Sequence, residues 1–201
     1  DLPIDGIVHE LPVEQLTWEN FEKLCLRLVE NTYTINDCEL SGVKGQAQEG
    51  IDIFAVKGYE RFATYQCKRY KEFPPDKIEE VVQRFRTGKW FLKSDEFFLC
   101  TSCTLSKTEQ QDKFLELKHE LNKQGKLFVK WDKIQLSRIL KSYPEIVLEF
   151  FGKEWVRRFN GEDVLSSLTA YHQPVLTIDE IKTGFSKASL GLEVADHDIP
   201  G

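Results

Sequence analysis

Two strand-like segments joined by a short turn restrict the fold of this chain more than any other feature. Residues 51–56 and 62–68 are rich in β-branched and aromatic side chains, and Gly58 lies in the turn at residues 57–61. This pattern predicts an antiparallel β-hairpin. An amphipathic helix precedes the hairpin, and strands alternate with helices after it. The sequence therefore predicts an α/β fold in which a mixed β-sheet forms the core and helices flank it.

The helices and strands around the hairpin are predicted from apolar periodicity and from end signals. A first helix over residues 18–30 begins after Thr17 as N-cap and carries apolar side chains at i, i+3, i+4 and i+7 counted from Phe21. A capping box at residues 106–109 predicts a long helix that ends at Gly125. The other predicted elements are an extended segment at 39–43, helices at 76–86, 134–142 and 145–159, and strands at 97–100 and 127–129.

The register of the hairpin decides which polar side chains meet. Side chains alternate between the faces of a strand, so Gln66 and Lys68 share one face and Cys67 points to the other. A three-residue loop at 58–60 places Asp52 opposite Gln66, within reach of Lys68. A two-residue loop at 58–59 places Asp52 opposite Tyr65 instead and separates the three polar groups.

The first of these registers groups the residue types that phosphodiester hydrolysis requires. Mg²⁺ prefers oxygen ligands, which Asp52, the Gln66 amide and the Cys67 backbone carbonyl would supply, and Mn²⁺ is an alternative ion. The metal would acidify the attacking water, and Lys68 would orient that water and stabilise the transition state. We therefore expect Asp52, Gln66 and Lys68 to be catalytic.

Glu22 on the first helix is a further candidate for catalysis and for the metal site. It borders the apolar face of that helix, where an unpaired buried carboxylate would be costly. A metal ion or Lys68 would offset this cost. Alternatively, Glu22 lies on the exposed side and only aids solubility, and the spacing alone favours neither reading.

The charge distribution is compatible with nucleic acid although the net charge is -6. Residues 57–93 contain ten basic and five acidic side chains. Such a segment suits phosphate binding, although charge runs are often only solvated faces. The residues expected to contact nucleic acid are Lys44, Arg69, Lys71 and Arg84.

Three groups of residues together resemble a known family. They are Phe21-Glu22 on the early helix, Gly50-Ile51-Asp52, and the run Tyr-Gln-Cys-Lys-Arg-Tyr at 65–70. Over residues 17–160 the chain resembles the Mrr-like branch of the PD-(D/E)XK nucleases, in which Gln replaces the second acid. The resemblance implies Mg²⁺-dependent cleavage of double-stranded DNA, commonly in bacterial antiphage defence. Many relatives carry Gly or Asp where this chain has residues 48–49, which leaves the role of Glu49 open.

The remaining features concern organisation and environment. Residues 1–16 read as an irregular lead-in, 17–160 as the nuclease-like domain, and 161–201 as a linker or the start of a further, truncated domain. The chain begins at Asp1 and lacks Met, which indicates a fragment, and the resemblance implies a fused C-terminal domain, because such nuclease domains are also found fused to NTPase modules. Five cysteines, three of them in apolar runs, indicate reduced thiols and a cytoplasmic location. The Cys100 and Cys103 pair lacks the further ligands of a zinc site.

Two other functions fit the same sequence. A catalytically inactive module of the same fold would bind DNA or a protein partner without a metal requirement. A nuclease acting on RNA is also compatible, because metal-assisted phosphoryl chemistry does not depend on the sugar. Cleavage of both DNA strands needs two active sites, so a homodimer or larger assembly is expected for the DNA endonuclease.

Overall fold

A computed structural model of the chain describes residues 8–32, 38–40, 51–58 and 61–171. Five strands form one mixed sheet in the order of the sequence: β1 (Cys38–Leu40), β2 (Ile53–Gly58), β3 (Arg61–Lys68), β4 (Ser94–Thr101) and β5 (Leu127–Trp131). The first two pairings are antiparallel and the last two are parallel. The predicted α/β class with a mixed sheet is confirmed.

The helices follow the predicted order. They are α1 (Trp18–Thr32), α2 (Pro75–Thr87), α3 (Thr108–Lys123), α4 (Lys133–Leu140), α5 (Pro144–Phe151), α6 (Lys153–Phe159) and α7 (Glu162–Tyr171), after a 3₁₀ turn at Val13–Gln15. The Thr17 hydroxyl caps α1 by accepting the Asn20 N–H at 3.2 Å, as predicted. The apolar stripe of this helix, which begins at Phe21, is buried.

The hairpin has the predicted register, but it reaches that register by a different turn. Gly58 pairs with Arg61, which leaves only residues 59–60 between the strands. A bulge between Val56 and Gly58 absorbs one residue, and Ile53 consequently pairs with Tyr65. Continuing this register by one residue sets Asp52 against Gln66. The prediction of a three-residue loop is therefore wrong, but the predicted register between β2 and β3 is correct.

Helices cover both faces of the sheet. On one face, α2 and α3 pack over β4 and β5, and Phe85 stacks on Phe97 with ring centroids 4.1 Å apart. On the other face, Tyr65 stacks on Phe98 at 4.4 Å, and α1 packs over β3. Each fully buried side chain of this size contributes about 1.5–3 kcal/mol of hydrophobic stabilisation. The core therefore holds β3 and β4 at the centre of the sheet.

Two helix ends differ from the predictions. Gly152 has φ 83° and ψ 175°, a conformation outside the helical range, so the segment predicted as one helix over 145–159 is two helices. A further helix, α7, begins at Glu162, where the sequence indicated a linker. Its weak apolar periodicity explains why it was missed.

The predicted capping box at 106–109 does not form. Helix α3 begins at Thr108, and the Gln110 side chain accepts the backbone N–H of Lys107 at 3.0 Å. The same amide donates to the Phe73 carbonyl at 2.9 Å. Gln110 is thus held by a tertiary contact that no local pattern could indicate.

The chain divides into two units, residues 1–165 and residues 166–201. Most of the second unit lies outside the described residues. None of the described helices has the length and apolar character needed to cross a bilayer.

Candidate active site

Asp52 lies immediately before β2, at the point where this strand separates from β3. Its backbone N–H donates to the Tyr65 carbonyl at 2.9 Å, and its Oδ2 accepts the Cys67 N–H at 2.6 Å. The carboxylate therefore takes the position that a backbone carbonyl occupies in a regular β-ladder. With 7% of its surface exposed, Asp52 is fixed against the middle of the sheet.

Burial controls the charge of Asp52. It raises the pKa of this carboxyl, and the Lys68 ammonium and the Cys67 N–H offset part of that effect. The carboxylate thus sits in an environment that disfavours its negative charge, while the Cys67 N–H holds it in place. A cation bound here would be favoured for the same reason.

Glu22 of α1 belongs to the same electrostatic group. Burial, followed by the negative charge of Asp52, raises the pKa of Glu22 to about 7, and Lys68 acts in the opposite direction. The sequence left open whether Glu22 lies in the site or in solvent. It lies partly buried, close enough to Asp52 and Lys68 for their charges to act on it.

Gln66 is fully buried, and its side-chain amide has no partner within the described part of the chain. Neither Oε1 nor Nε2 makes a hydrogen bond to any described residue. Leaving a buried polar atom unsatisfied costs about 1–3 kcal/mol, so such atoms are rare without a ligand or another functional reason. The register places Gln66 opposite Asp52 and on the same face as Lys68.

The backbone groups and the thiol of Cys67 point in different directions. Its N–H points toward Asp52 on the β2 side, and in an extended strand the carbonyl of a residue points to the same neighbouring strand. The Cys67 carbonyl is therefore directed to the edge where the carboxylate lies. Its thiol is buried on the other face, beside Cys25 and Cys100.

A concave basic surface follows Lys68 at the end of β3. A pocket of about 400 Å³ opens there, lined by Glu14, Arg69, Tyr70, Lys71, Ser102, Cys103, Thr104 and Lys133. Arg69 donates to the Glu14 carbonyl at 3.3 Å, and Tyr70 is 45% exposed. Arg69 and Lys71 are exposed and form no ion pair with another described residue, whereas the Lys68 charge acts on Asp52 and Glu22.

Most other cations of the basic segment are neutralised. Described ion pairs join Lys57 to Glu96, Arg61 to Asp95, Lys77 and Arg84 to Glu80, and Arg86 to Glu120. Arg84 therefore lies on α2 beside an acid, and none of its described contacts involves Asp52, Gln66 or Lys68. The candidate Lys44 lies outside the described residues.

Sequence reasoning missed the rest of the pocket wall. Ser102 and Thr104 follow β4, and Lys133 begins α4. These residues could have been predicted from their position after a strand. The carboxyl ends of adjacent parallel strands meet at one edge of a sheet, where ligands commonly bind. Tyr70, to which the sequence analysis assigned no role, also lies in this wall.

A mixed sheet with an acid before its hairpin, Gln and Lys on the next strand and a helical acid nearby defines a nuclease core of the restriction-endonuclease type. Residues 13–112 match a family model described as restriction endonuclease, the Mrr catalytic domain. This segment is therefore an Mrr-like restriction endonuclease domain of the PD-(D/E)XK superfamily. Comparison with curated proteins and with solved structures gave no match.

Proposed function

We propose that this domain is a metal-dependent endonuclease that hydrolyses phosphodiester bonds of double-stranded DNA. The observation that carries the proposal is the grouping at one edge of the sheet. There, Asp52 and Glu22 lie within electrostatic reach of Lys68, and the register sets Gln66, whose amide has no partner among the described residues, against Asp52. Such a set is costly for folding, which supports a functional role.

The donor set fits a hard divalent cation. The groups that would hold it are the carboxylates of Asp52 and Glu22, Oε1 of Gln66 and the carbonyl of Cys67. Oxygen donors of these kinds are the ligands that Mg²⁺ and Mn²⁺ prefer. When bound, the cation would lower the pKa of water and offset the negative charge of the phosphate. An amide oxygen in place of a second strand acid lowers the total negative charge of the set.

The proposed reaction gives a different role to each of Lys68, Asp52 and Glu22. Lys68 donates hydrogen bonds to the attacking water and to a phosphate oxygen, and its positive charge stabilises the developing negative charge. Asp52 is held by the Cys67 N–H and so needs no reorganisation when substrate binds. Glu22 is partly protonated near neutral pH in the absence of a cation, because its pKa is about 7.

The basic pocket provides a path for the DNA strand. Arg69 and Lys71 come one and three residues after Lys68, and Lys133, which pairs with Glu10 and Glu14, lines the same pocket. Phosphate groups on either side of the reacting one would contact these cations. Binding through such contacts is independent of base sequence and weakens as salt concentration rises.

Plasmid cleavage tests the proposal. Supercoiled DNA incubated with the protein and Mg²⁺ or Mn²⁺ should be nicked or linearised. Asp52→Asn and Lys68→Ala should each lower the cleavage rate at least about 100-fold, because each removes a group at the reacting phosphate. Lys77→Ala, which removes a cation paired with Glu80, is the matched control and should cleave at the wild-type rate.

Circular dichroism establishes that each variant is folded. Full cleavage by folded Lys68→Ala contradicts the assignment, and DNA binding without any cleavage by the wild type indicates an inactive DNA-binding module. A parallel reaction on RNA of the same length distinguishes the two substrates.

The wider biological setting is proposed on the family resemblance. The domain, over about residues 17–160, acts in antiphage defence, and a homodimer or larger assembly brings two sites to the two strands. Sedimentation of the protein with a DNA duplex tests the assembly. A single protomer on each duplex during double-strand cleavage would contradict it.

A further inference from the structure

Three thiols that are distant in sequence meet behind the proposed active site. Cys25 of α1, Cys67 of β3 and Cys100 of β4 place their sulfur atoms within 4.8 Å of one another. Cys67 and Cys100 are paired neighbours on parallel strands, so their side chains project from the same face of the sheet. All three residues are buried. We call these three residues the thiol cluster.

The thiol cluster is separate from the oxygen donors proposed for Mg²⁺. The Cys67 thiol leaves β3 on the face opposite Gln66 and Lys68. The chemistry also differs, because thiol sulfur is a soft donor, whereas carboxylate and amide oxygens are hard donors. A hard divalent cation in the active site therefore does not compete for the cluster.

We propose that the thiol cluster is a binding site for a soft monovalent cation of the Cu(I) class. At the metal–sulfur distance of about 2.3 Å found in thiolate sites, three sulfurs around one ion lie about 4.0 Å apart. The sulfur atoms of the cluster lie within 4.8 Å of one another, which is close to this value.

The number and kind of donors select the cation. Structural zinc sites take four ligands, and no fourth cysteine, histidine or carboxylate joins this group among the described residues. Soft sulfur donors favour Cu(I), which carries a single charge and accepts low coordination numbers. Each thiol that becomes a thiolate ligand releases its proton to solvent, and no electron is transferred. A divalent hard ion gains nothing from these donors.

Cation binding would join α1, β3 and β4, and the first two of these carry residues of the proposed nuclease site. Helix α1 carries Glu22, and β3 carries Gln66 and Lys68. A cation held by the cluster stabilises the folded state in proportion to the logarithm of its free concentration. At a free concentration a hundred times the Kd, we expect Tm to rise by roughly 5–10 °C.

Ag(I) is the probe for the experiment, because it has the same charge and preference for sulfur as Cu(I) without redox chemistry. The protein used is the whole chain carrying Cys38→Ala and Cys103→Ala, which leaves only the three thiols of the cluster. Native mass spectrometry in excess methionine should show one Ag(I) retained per chain, with the rise in Tm given above. Neither readout depends on nuclease activity.

Removing two thiols of the cluster completes the test. The double variant Cys25→Ala and Cys100→Ala, in the same background, leaves a single thiol and should lose the retained ion and the rise in Tm. Failure of the parent variant to retain Ag(I) overturns the proposal and shows that the thiols only pack as small apolar groups. Retention of one ion by the folded double variant overturns it equally. The parent variant alone decides the matter if the double variant does not fold.

Discussion

At the scale of single residues, Glu22 shows how burial and charge act together. Its pKa is about 7, against an ordinary value of 4.5, mainly because burial disfavours the charged form and Asp52 repels it. Between pH 4.5 and about 7, Glu22 therefore binds more protons in the folded chain than in the unfolded chain. The free energy of unfolding therefore falls as pH rises from about 4.5 to about 7 and stays reduced above that range.

Glu22→Gln should remove this pH dependence. The neutral amide carries no charge to desolvate, so we expect the variant to gain about 1–2 kcal/mol of unfolding free energy at pH 8 after solvent screening is allowed for. Little change is expected at about pH 5. Urea unfolding in the presence of EDTA at both pH values measures the difference.

The control is Glu30→Gln, which changes a carboxylate on the same helix that pairs with Arg27. This variant should keep the wild-type pH dependence. An equal effect of Glu22→Gln at both pH values would contradict the role of the Glu22 charge.

The residues of the candidate site could be placed from sequence only where a local rule applied. Alternation along β3 was enough to put Gln66 and Lys68 on one face, and the hairpin brought Asp52 to them. The missing hydrogen bonds of Gln66 could not be predicted, because they depend on every atom packed around the amide. The position of Glu22 likewise required the packing of α1 on the sheet.

At the scale of elements, the same distinction separates what sequence predicted from what it did not. Helix α1 is predicted by an apolar period of 3.6 residues and the hairpin by an apolar period of 2 residues. Both periods can be seen in the local sequence. The bulge between Val56 and Gly58 and the tertiary contact of Gln110 with Phe73 were not indicated by any local pattern. The thiol cluster draws on Cys25, Cys67 and Cys100, whose spacing in sequence forms no pattern.

Gly152 is the element-scale feature most open to test. It separates α5 from α6 with φ 83° and ψ 175°, a region that side-chain-bearing residues rarely adopt. No heavy atom lies within 4 Å of a Cβ built there, so a substitution meets backbone strain and no clash. Gly152→Ala should therefore lower the free energy of unfolding by about 1–3 kcal/mol, measured by urea titration.

Gly88 offers the matched comparison. It ends α2 with φ -83°, a value open to any residue. Gly88→Ala should change the free energy of unfolding by less than about 0.5 kcal/mol. Equal losses in the two variants would show that φ at Gly152 is not the cause.

At the scale of the whole molecule, an acidic chain presents one basic surface. The net charge is -6, and the excess of cations in residues 57–93 is largely cancelled by partners distant in sequence, such as Glu96 and Glu120. Sequence counts cannot reveal this cancellation. Arg69 and Lys71, which form no ion pair with another described residue, come after β3 and line the pocket that follows Lys68.

This arrangement predicts how DNA binding responds to salt. Each phosphate contact that is removed lowers the slope of log affinity against log salt concentration by about 0.9. The double variant Arg69→Ala and Lys71→Ala should therefore bind a DNA duplex more weakly, with a slope reduced by about 2. Fluorescence anisotropy in EDTA, which prevents cleavage, gives the affinity over a range of salt concentrations.

A matched pair, Lys77→Ala and Lys113→Ala, removes two cations that already pair with acids and should leave the slope unchanged. The same loss of slope in both double variants would show that DNA responds to total charge and not to the surface beside Lys68.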